Sequence, residues 1–246
     1  MTNRPVVAVV GDDGSVAAAV DAAGGDPRPG PAADVVPGSD AVVAVGEPAL
    51  LAVARAGPSA PVLPVAAGHG VRSVPREAVE AAVASLVGGE FDADTHPVYD
   101  AAVGDSVRAR LLLDCMLVTA EPAQISEFAV SAGGEPVARF RADGVVVATP
   151  AGSAGYARRA GGPVLPPETD AAVVVPIAPF ATDTDHWVVP AGELRVSVER
   201  DVAAVDLVAG DRVVGTVPST DALRLTPAET VDIAVVAASQ SPYPSV

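Results

Sequence analysis

The sequence contains no lysine, one cysteine and few aromatic residues. All 15 of its cationic side chains are arginine, against 31 acidic ones, and the formal net charge is −16. Such a chain repels polyanions, which makes nucleic acid a poor partner. A single cysteine, Cys115, excludes an internal disulfide and a thiolate metal cluster. The histidines are far apart and show no ligand spacing, so we expect no structural metal.

Long hydrophobic runs are also missing. No stretch approaches the ~18 uninterrupted apolar residues that a membrane span requires. The apolar run Pro5–Val10 ends in acids and lacks a cleavage site after a longer apolar region. It therefore indicates a first strand and not a signal peptide. We expect a cytoplasmic protein without a membrane partner.

Half of the chain is hydrophobic, and much of that half is Ala and Val. The acid-rich, lysine-free, Ala/Val-rich composition is typical of a protein from a salt-accumulating halophile; the alternative is an ordinary acidic cytosolic protein. In a halophile the surface carboxylates are screened at molar salt, where the Debye length is about 3 Å. At low salt their mutual repulsion would loosen the fold.

The first part of the chain, residues 1–92, alternates strand and helix patterns. The predicted strands are Pro5–Val10, Ala41–Val45 and Pro61–Val65, and the predicted helices are Ser15–Ala23, Pro48–Ala56 and Pro75–Leu86. A loop rich in Gly, Pro and Asp fills Gly24–Asp40. This alternation predicts a parallel sheet covered by helices on both faces.

The second part, residues 93–246, has an all-β texture, and the boundary is predicted near Asp92–His96. Short β-rich runs alternate with turn signals. The runs are Arg108–Val118, Glu127–Val130, Val145–Thr149, Ala171–Pro176, Leu194–Val198 and Val213–Val217. One helical pattern stands out near Ala154–Ala160. The fold class is therefore α/β plus all-β, and the last residues can pack back on the first domain.

The strongest local motif runs from Asp143 to Pro163. Asp143-Gly144 precedes a strand, which leads into a turn of small residues and then Tyr156. Such a turn exposes backbone N–H groups and leaves room for a planar ring, while the tyrosine supplies a face or a hydroxyl. Gly152-Ser153-Ala154-Gly155 is loosely similar to a serine-hydrolase elbow. Ala151 occupies the first Gly position, which argues against that interpretation.

This motif resembles the NAD kinase family, in which the region reads DG, a strand, and then TPTGSTAYSLSAGGP. The matching residues are Asp143, Gly144, Thr149, Pro150, Gly152, Ser153, Tyr156, Ala160, Gly161, Gly162 and Pro163. The following Val173–Phe180 resembles the family's "tPI-PH" element, with Phe180 where His is usual. The resemblance continues in the family's order over most of the sequence.

The resemblance implies a dinucleotide pocket in this region. Asp143 would hydrogen-bond the nicotinamide end of NAD, and Ala154–Arg159, including Gly155 and Tyr156, would line the adenosine pocket. Ala151, Ala154 and Arg159 stand where the family has Thr, Thr and Ser. If Arg159 points inward it would favour a phosphate-bearing ligand; if it points outward it is a solvated helix residue.

The family's GGDGT loop, which cradles the ATP phosphates and supplies the catalytic Asp, corresponds by order and spacing to Val45–Leu51. In this phosphate loop Gly46 is kept, Glu47 replaces the catalytic Asp, and Pro48 and Ala49 replace Gly and Thr. Pro48 fixes φ and has no N–H, so the phosphate cradle is weakened. The downstream Pro61–Val74 matches the family's "PVLGIN-GxxGFL".

Two further segments bear on the phosphate loop and the pocket. Gly11-Asp12-Asp13-Gly14-Ser15 looks more like GGDGT letter for letter, but it lacks the downstream context. The family's Asn-Glu pair, which contacts the NAD riboses, maps to Leu113-Asp114, although a one-residue shift would align Asp114 with the Asn. An acid inside LLLDCMLV is costly to bury without a partner, which favours a ligand contact.

The resemblance implies a Rossmann-like N-terminal α/β domain and a C-terminal β-sandwich domain, with the active site in the cleft between them. It also implies transfer of the γ-phosphoryl of ATP, or of another donor, to the adenosine-ribose 2′-hydroxyl of NAD, giving NADP. Glu47 would be the base, Mg²⁺ would offset the phosphate charge, and the protein would be a homodimer or homotetramer. The alternative is a family member that binds NAD or NADP as a sensor, with little phosphoryl transfer.

Overall fold

The chain divides into two compact units in a computed structural model. The described residues are 4–11, 14–105, 107–121, 124–181, 185–200, 203–219 and 221–243. The first unit comprises Met1–His96 and Glu229–Val246, and the second comprises Pro97–Ala228. Asp12 and Asp13 of the GGDGT-like segment lie outside the described residues. In the part of the chain that is described, no helix is long and apolar enough to cross a bilayer.

A parallel sheet forms the centre of the first unit. Its strands are β1 (Val6–Val10), β2 (Asp26–Pro29), β3 (Ala41–Val45) and β4 (Val62–Val65), in the order β2-β1-β3-β4. Val7 pairs with Ala41, and Val42 pairs with Val62. All residues of β3 and β4 are buried, as expected for parallel strands covered on both faces.

Helices pack on this sheet in two pairs. They are α1 (Ser15–Ala22), α2 (Ala32–Val35), α3 (Glu47–Ala56) and α4 (Val79–Gly88), the last preceded by a 3₁₀ turn at Arg76–Ala78. α1 contacts α4, and their buried residues share a core with Val7, Val9 and Val43. α2 and α3 contact each other and also contact β1. The predicted alternation of strands and helices is confirmed by this arrangement.

The expectation of a loop over Gly24–Asp40 is wrong. This segment contains β2 and the short helix α2. Two prolines, Pro27 and Pro29, lie in β2, and they are tolerated because β2 is at the edge of the sheet, where an N–H is not needed on the outer side. The proline-rich composition therefore hid an edge strand.

The second unit is built mainly from antiparallel strands. They are β5 (Asp92–Val103), which begins in the first unit, β6 (Val107–Leu111), β7 (Asp114–Thr119), β8 (Ser126–Ala132), β9 (Glu135–Ala148), β10 (Ala172–Pro179), β11 (Trp187–Val189), β12 (Leu194–Arg200), β13 (Val205–Ala209), β14 (Arg212–Val217) and β15 (Ala222–Val235), which ends in the first unit. Tyr99, Phe128 and Phe140 lie in its core among many Val, Leu and Ala side chains. The expected all-β second part is confirmed.

Three details of the predicted β elements differ from the structure. The single run Arg108–Val118 is broken into β6 and β7, with Leu112 and Leu113 between them. β5, β11, β13 and β15 were not predicted. The helical segment begins at Pro150, earlier than the expected Ala154, because Thr149 caps its first turn. This helix, α5 (Pro150–Gly152), continues as a π-helical turn over Ser153–Ala157.

Strand β9 changes partners halfway along its length. Its first part pairs with β8, ending at Ala142 opposite Ser126. Its last part pairs with β7, beginning at Gly144 opposite Val118. Asp143 lies between the two ladders, so the Asp-Gly pair of the motif marks the place where β9 passes from one neighbour to the other.

Candidate nucleotide site

Thr149 joins the small-residue turn to the segment before β7. Its hydroxyl donates to the Leu112 carbonyl at 2.6 Å and accepts from the Gly152 N–H at 3.2 Å. Its own N–H donates to the Leu113 carbonyl at 2.8 Å. These bonds satisfy polar groups that are buried at the start of α5. Sequence reasoning did not assign Leu112 or Leu113 this role, because it depends on their carbonyl groups and not on their side chains.

Gly152 packs directly on the backbone of Leu113. A Cβ built on Gly152 would lie 2.1 Å from the Leu113 carbonyl oxygen and 2.9 Å from its Cα. Only glycine fits such an approach. The turn and the Leu112–Leu113 segment are therefore interlocked, with no space for a side chain between them.

Ser153 is used structurally. The residue is fully buried, and its hydroxyl donates to the Pro150 carbonyl at 2.6 Å and accepts from the Leu165 N–H at 2.8 Å. A hydroxyl held between two backbone groups and shielded from solvent is not placed to attack a substrate. The arrangement argues against the serine-hydrolase interpretation.

The π-helical turn presents Gly155 and Tyr156 to solvent. Gly155 has φ −91° and ψ −122°, which interrupts the helix. Tyr156 is 36% exposed, and the Arg159 guanidinium carbon lies 5.9 Å from the centre of its ring. Here the irregularity leaves one flat ring exposed beside an open backbone.

Two of the predicted pocket residues are buried. Ala151 is 3% exposed and Ala154 is 8% exposed, so their methyl groups pack inside the protein next to the exposed Gly155 and Tyr156. Arg159 is exposed, and its guanidinium bends back over the Tyr156 ring. Asp114 is half-buried and pairs with Ala148, which directly precedes Thr149. The structure therefore brings Asp114 to the turn.

The structure does not bring Asp143 to the same place. Asp143 is half-buried and lies five residues before Ala148 on β9. At ~3.4 Å per residue this separates it from Asp114 by roughly 17 Å along the ladder. Gly144 is required there, because a Cβ would lie 2.6 Å from the Leu117 carbonyl oxygen. The two predicted NAD-contacting carboxylates thus occupy opposite ends of the β7–β9 pairing.

A surface groove of about 480 Å³ is lined in part by Arg139, Arg141 and Phe180. Phe180 is 68% exposed, and the Arg141 guanidinium carbon lies 5.2 Å from its ring centre. The Phe180 N–H donates to the Arg141 carbonyl at 2.8 Å. Phe180, which stands where the family usually has His, therefore lies beside Arg141, two residues before Asp143. Its ring faces solvent.

The phosphate loop lies at the junction of β3 and α3 in the first unit. Gly46 has φ 86°, its N–H donates to the Val65 carbonyl at 2.8 Å, and its carbonyl accepts from Leu50 at 3.1 Å. Glu47 is exposed in the first turn of α3. A Cβ built on Gly68 would lie 4.0 Å from Glu47 Oε2. The carboxylate therefore lies near the loop that follows β4.

Pro48 and Ala49 are accommodated without strain. Pro48 lies in the first turn of α3, a position where proline is common because its missing N–H has no partner within the helix. The expected problem with its fixed φ therefore does not arise, but the absent N–H remains a difference from glycine. Ala49 is buried, and a Cβ built on Gly11 would lie 2.7 Å from its Cβ.

Cys115 is a buried titratable group at the start of β7, next to Asp114. Burial raises the pKa of the Cys115 thiol far above its usual value, and the neighbouring Asp114 carboxylate raises it further. A fully buried thiol of this kind is inert. Among the described residues, no group of three or more His, Cys, Asp or Glu side chains could hold a metal ion.

Comparison with known proteins identifies the family. A family model described as the ATP-NAD kinase C-terminal domain matches residues 113–235. The NAD kinase of Methanosphaera stadtmanae is 41% identical over 90 residues, which are 37% of this chain and 33% of that protein. The NAD kinase of Methanopyrus kandleri is 30% identical over 128 residues, 52% of this chain and 46% of that protein. The chain thus spans about a third to a half of the length of these curated relatives.

Two solved structures share the fold over nearly the whole chain. Yeast NADH kinase complexed with NADH has a TM-score of 0.78 at 17% identity, covering 96% of this chain and 85% of that one. An NAD kinase from Archaeoglobus fulgidus in complex with ATP has a TM-score of 0.77 at 23% identity, covering 93% of this chain and 92% of that one. The expected fold class is confirmed. Because the family model covers half of the chain, the chain belongs to the ATP-NAD kinase family.

Proposed function

We propose that the protein is an NAD kinase, which transfers the γ-phosphoryl of ATP to the 2′-hydroxyl of the adenosine ribose of NAD and so produces NADP. The observation that carries the proposal is the nucleotide turn, which lies within the region matched by the family model and presents the exposed Tyr156 ring beside the open backbone at Gly155. The archaeal relatives named NAD kinase support the same reaction.

The NAD site would be formed by the exposed part of the turn and by the two carboxylates. The Tyr156 ring and the open backbone at Gly155 would contact the adenosine, next to the buried methyl groups of Ala151 and Ala154. Asp114, which lies beside the turn, would contact a ribose. Asp143 would hydrogen-bond the nicotinamide end, at the place where β9 changes partners.

Glu47 would act as the general base. It would accept the proton of the 2′-hydroxyl while the ribose oxygen bonds to the γ-phosphorus and the bond to the β-phosphate oxygen breaks, leaving ADP. The N-terminus of the ten-residue helix α3 supports the handling of phosphates near Glu47, because its first N–H groups have no partner within the helix and its dipole favours negative charge. Gly46 and Ala49 would complete this loop.

Mg²⁺ would accompany the ATP and offset charge on its phosphates. A preformed cluster of acidic ligands is not required, since Mg²⁺ commonly reaches such sites bound to the nucleotide with one or two carboxylates. The oligomeric state, expected to be a dimer or tetramer, and the cytoplasmic location remain predictions.

The decisive experiment incubates the purified protein with NAD, ATP and Mg²⁺ in molar KCl and measures NADP. Turnover that is lost in Glu47→Gln supports the proposal. Glu80→Gln is the matched control, because Glu80 is also an exposed acid in the first turn of a helix of the same unit, α4. Polyphosphate is assayed in parallel as an alternative donor. NAD binding without turnover from either donor would show that the protein is a sensor and not a kinase.

A further inference from the structure

Arg159 and Tyr156 form a pair on the solvent side of the nucleotide turn. They are three residues apart in a helical segment, which places their side chains as neighbours. The Arg159 guanidinium carbon lies 5.9 Å from the ring centre, within the range of a cation–π contact. Both residues are exposed, so one face of the pair is open to a ligand.

The guanidinium has no acidic partner among the described residues. Elsewhere in the protein, Arg139 is 2.8 Å from Glu127, and Arg72 is 3.0 Å from Asp94. For Arg159 no carboxylate of the described part of the chain lies within ion-pair distance, although the sequence contains 31 acidic side chains. Its charge is thus available to an anion from solution.

The backbone that carries this pair is tightly fixed on both sides. Before the pair, Gly152 packs against Leu113 without space for a side chain. After it, the Gly162 N–H donates to the Ala157 carbonyl at 2.8 Å, and a Cβ on Gly162 would lie 2.6 Å from Val175 Cγ2. The backbone that carries Arg159 beside Tyr156 is therefore ordered, and only its exposed side chain has to be fixed when a ligand binds.

We propose that Arg159 is a specificity-determining residue that binds the 2′-phosphate of NADP, so that the site holds the 2′-phosphorylated dinucleotide more tightly than NAD. The inference rests on the proposed function, in which Tyr156 contacts the adenosine, because the 2′ position belongs to that same adenosine. A guanidinium offers two parallel donors to a phosphate, whereas the serine usual in the family offers one hydroxyl.

The test measures the dissociation constants of NADP and NAD by calorimetry, without ATP, at 0.2 M and 2 M KCl. In Arg159→Ser the affinity for NADP should fall about ten- to a hundredfold, as expected for hydrogen bonds to a charged group. The affinity for NAD should change less than about threefold. The affinity of Arg159→Lys for NADP should lie between those of the wild type and Arg159→Ser, because lysine keeps the charge but lacks the planar pair of donors. The loss should be smaller at 2 M KCl, where charge is screened.

The matched control is Arg195→Ser, which removes the same charge from an exposed position on β12, between β8 and β15. It should leave both dissociation constants unchanged. The inference would be overturned if Arg159→Ser left the ratio of the NADP and NAD dissociation constants unchanged. It would also be overturned if the wild-type protein bound neither dinucleotide. Binding is measured without turnover, so a protein that binds NADP through Arg159 but never forms it would refute only the proposed kinase activity.

Discussion

The α-carbon of Gly152 approaches the carbonyl group of Leu113 so closely that a methyl group on Gly152 would lie 2.1 Å from the Leu113 oxygen. The two residues belong to segments that are far apart in sequence, the nucleotide turn and the connection between β6 and β7. Their contact fixes the turn against the start of β7, where Asp114 lies. The glycine of the family motif is therefore required by packing, whether or not a ligand is bound.

Gly152→Ala should destabilise the second unit by about 3 kcal/mol, since overpacking in a fixed backbone environment costs typically 1–3 kcal/mol or more. Urea denaturation in molar KCl would measure this change. Gly192→Ala is the control in the same unit, because Gly192 lies in a 3₁₀ turn at Ala191–Glu193 and a Cβ there would make only an ordinary contact, 3.5 Å from Pro227. Equal stability of Gly152→Ala and the wild type would contradict the close contact.

Restoring the missing N–H in the phosphate loop should strengthen ATP binding. Pro48→Ala returns a backbone donor to the first turn of α3 and suits a helix. A hydrogen bond to a charged phosphate is worth about 1.5–3 kcal/mol, so KM for ATP should fall by about ten- to a hundredfold, while KM for NAD changes little. Steady-state kinetics with each substrate varied in turn would check this.

Pro58→Ala is the control for that substitution, because Pro58 follows α3 at its opposite end. It should leave KM for ATP unchanged. If Pro48→Ala also leaves KM for ATP unchanged, the first turn of α3 does not contact the phosphates, and the role proposed for the phosphate loop is wrong.

Elements with a regular pattern were predictable from the sequence. β3 was predicted with its observed bounds, because five consecutive small apolar residues between turn signals leave few alternatives. The edge strand β2 was missed because its prolines indicate a loop, and only its edge position makes them acceptable. Local composition cannot reveal which strand will lie at an edge.

The nucleotide turn could be located from the sequence, but the arrangement of the residues around it could not. The sequence motif around Tyr156 identified the turn, and the family match supports that identification. The separation of Asp114 and Asp143 could not be predicted, because it depends on the register of β9 with β7. The supports from Leu112 and Leu113 are carbonyl groups, which every residue has, so no side-chain pattern could indicate them.

Alkaline pH should destabilise the protein through Tyr99. Burial, together with the Asp170 carboxylate, which accepts a hydrogen bond from the phenol at 3.3 Å, raises the pKa of Tyr99 to about 12. Above pH 10 the unfolded tyrosine loses its proton while the folded one keeps it, so the free energy of unfolding falls between about pH 10 and pH 12. Since the chain has no lysine, few other groups titrate there.

Chemical denaturation at pH 8, 10 and 11 would test this linkage. Tyr99→Phe should be less sensitive to alkaline pH than the wild type, with a residual loss from Cys115, whose raised pKa acts in the same direction. Tyr243→Phe is the control, because Tyr243 is 48% exposed. If Tyr99→Phe shows the same alkaline loss as the wild type, the phenol does not carry the effect.

Salt should stabilise the fold, because the net charge of −16 comes from 31 acidic and 15 basic side chains. Raising KCl from 0.1 M to 1 M shortens the Debye length from about 10 Å to about 3 Å, which screens repulsion between surface carboxylates. The midpoint of thermal unfolding should therefore rise with KCl. Sucrose is the control, since it favours compact states without adding ions. If KCl gives no gain, repulsion between carboxylates does not limit stability.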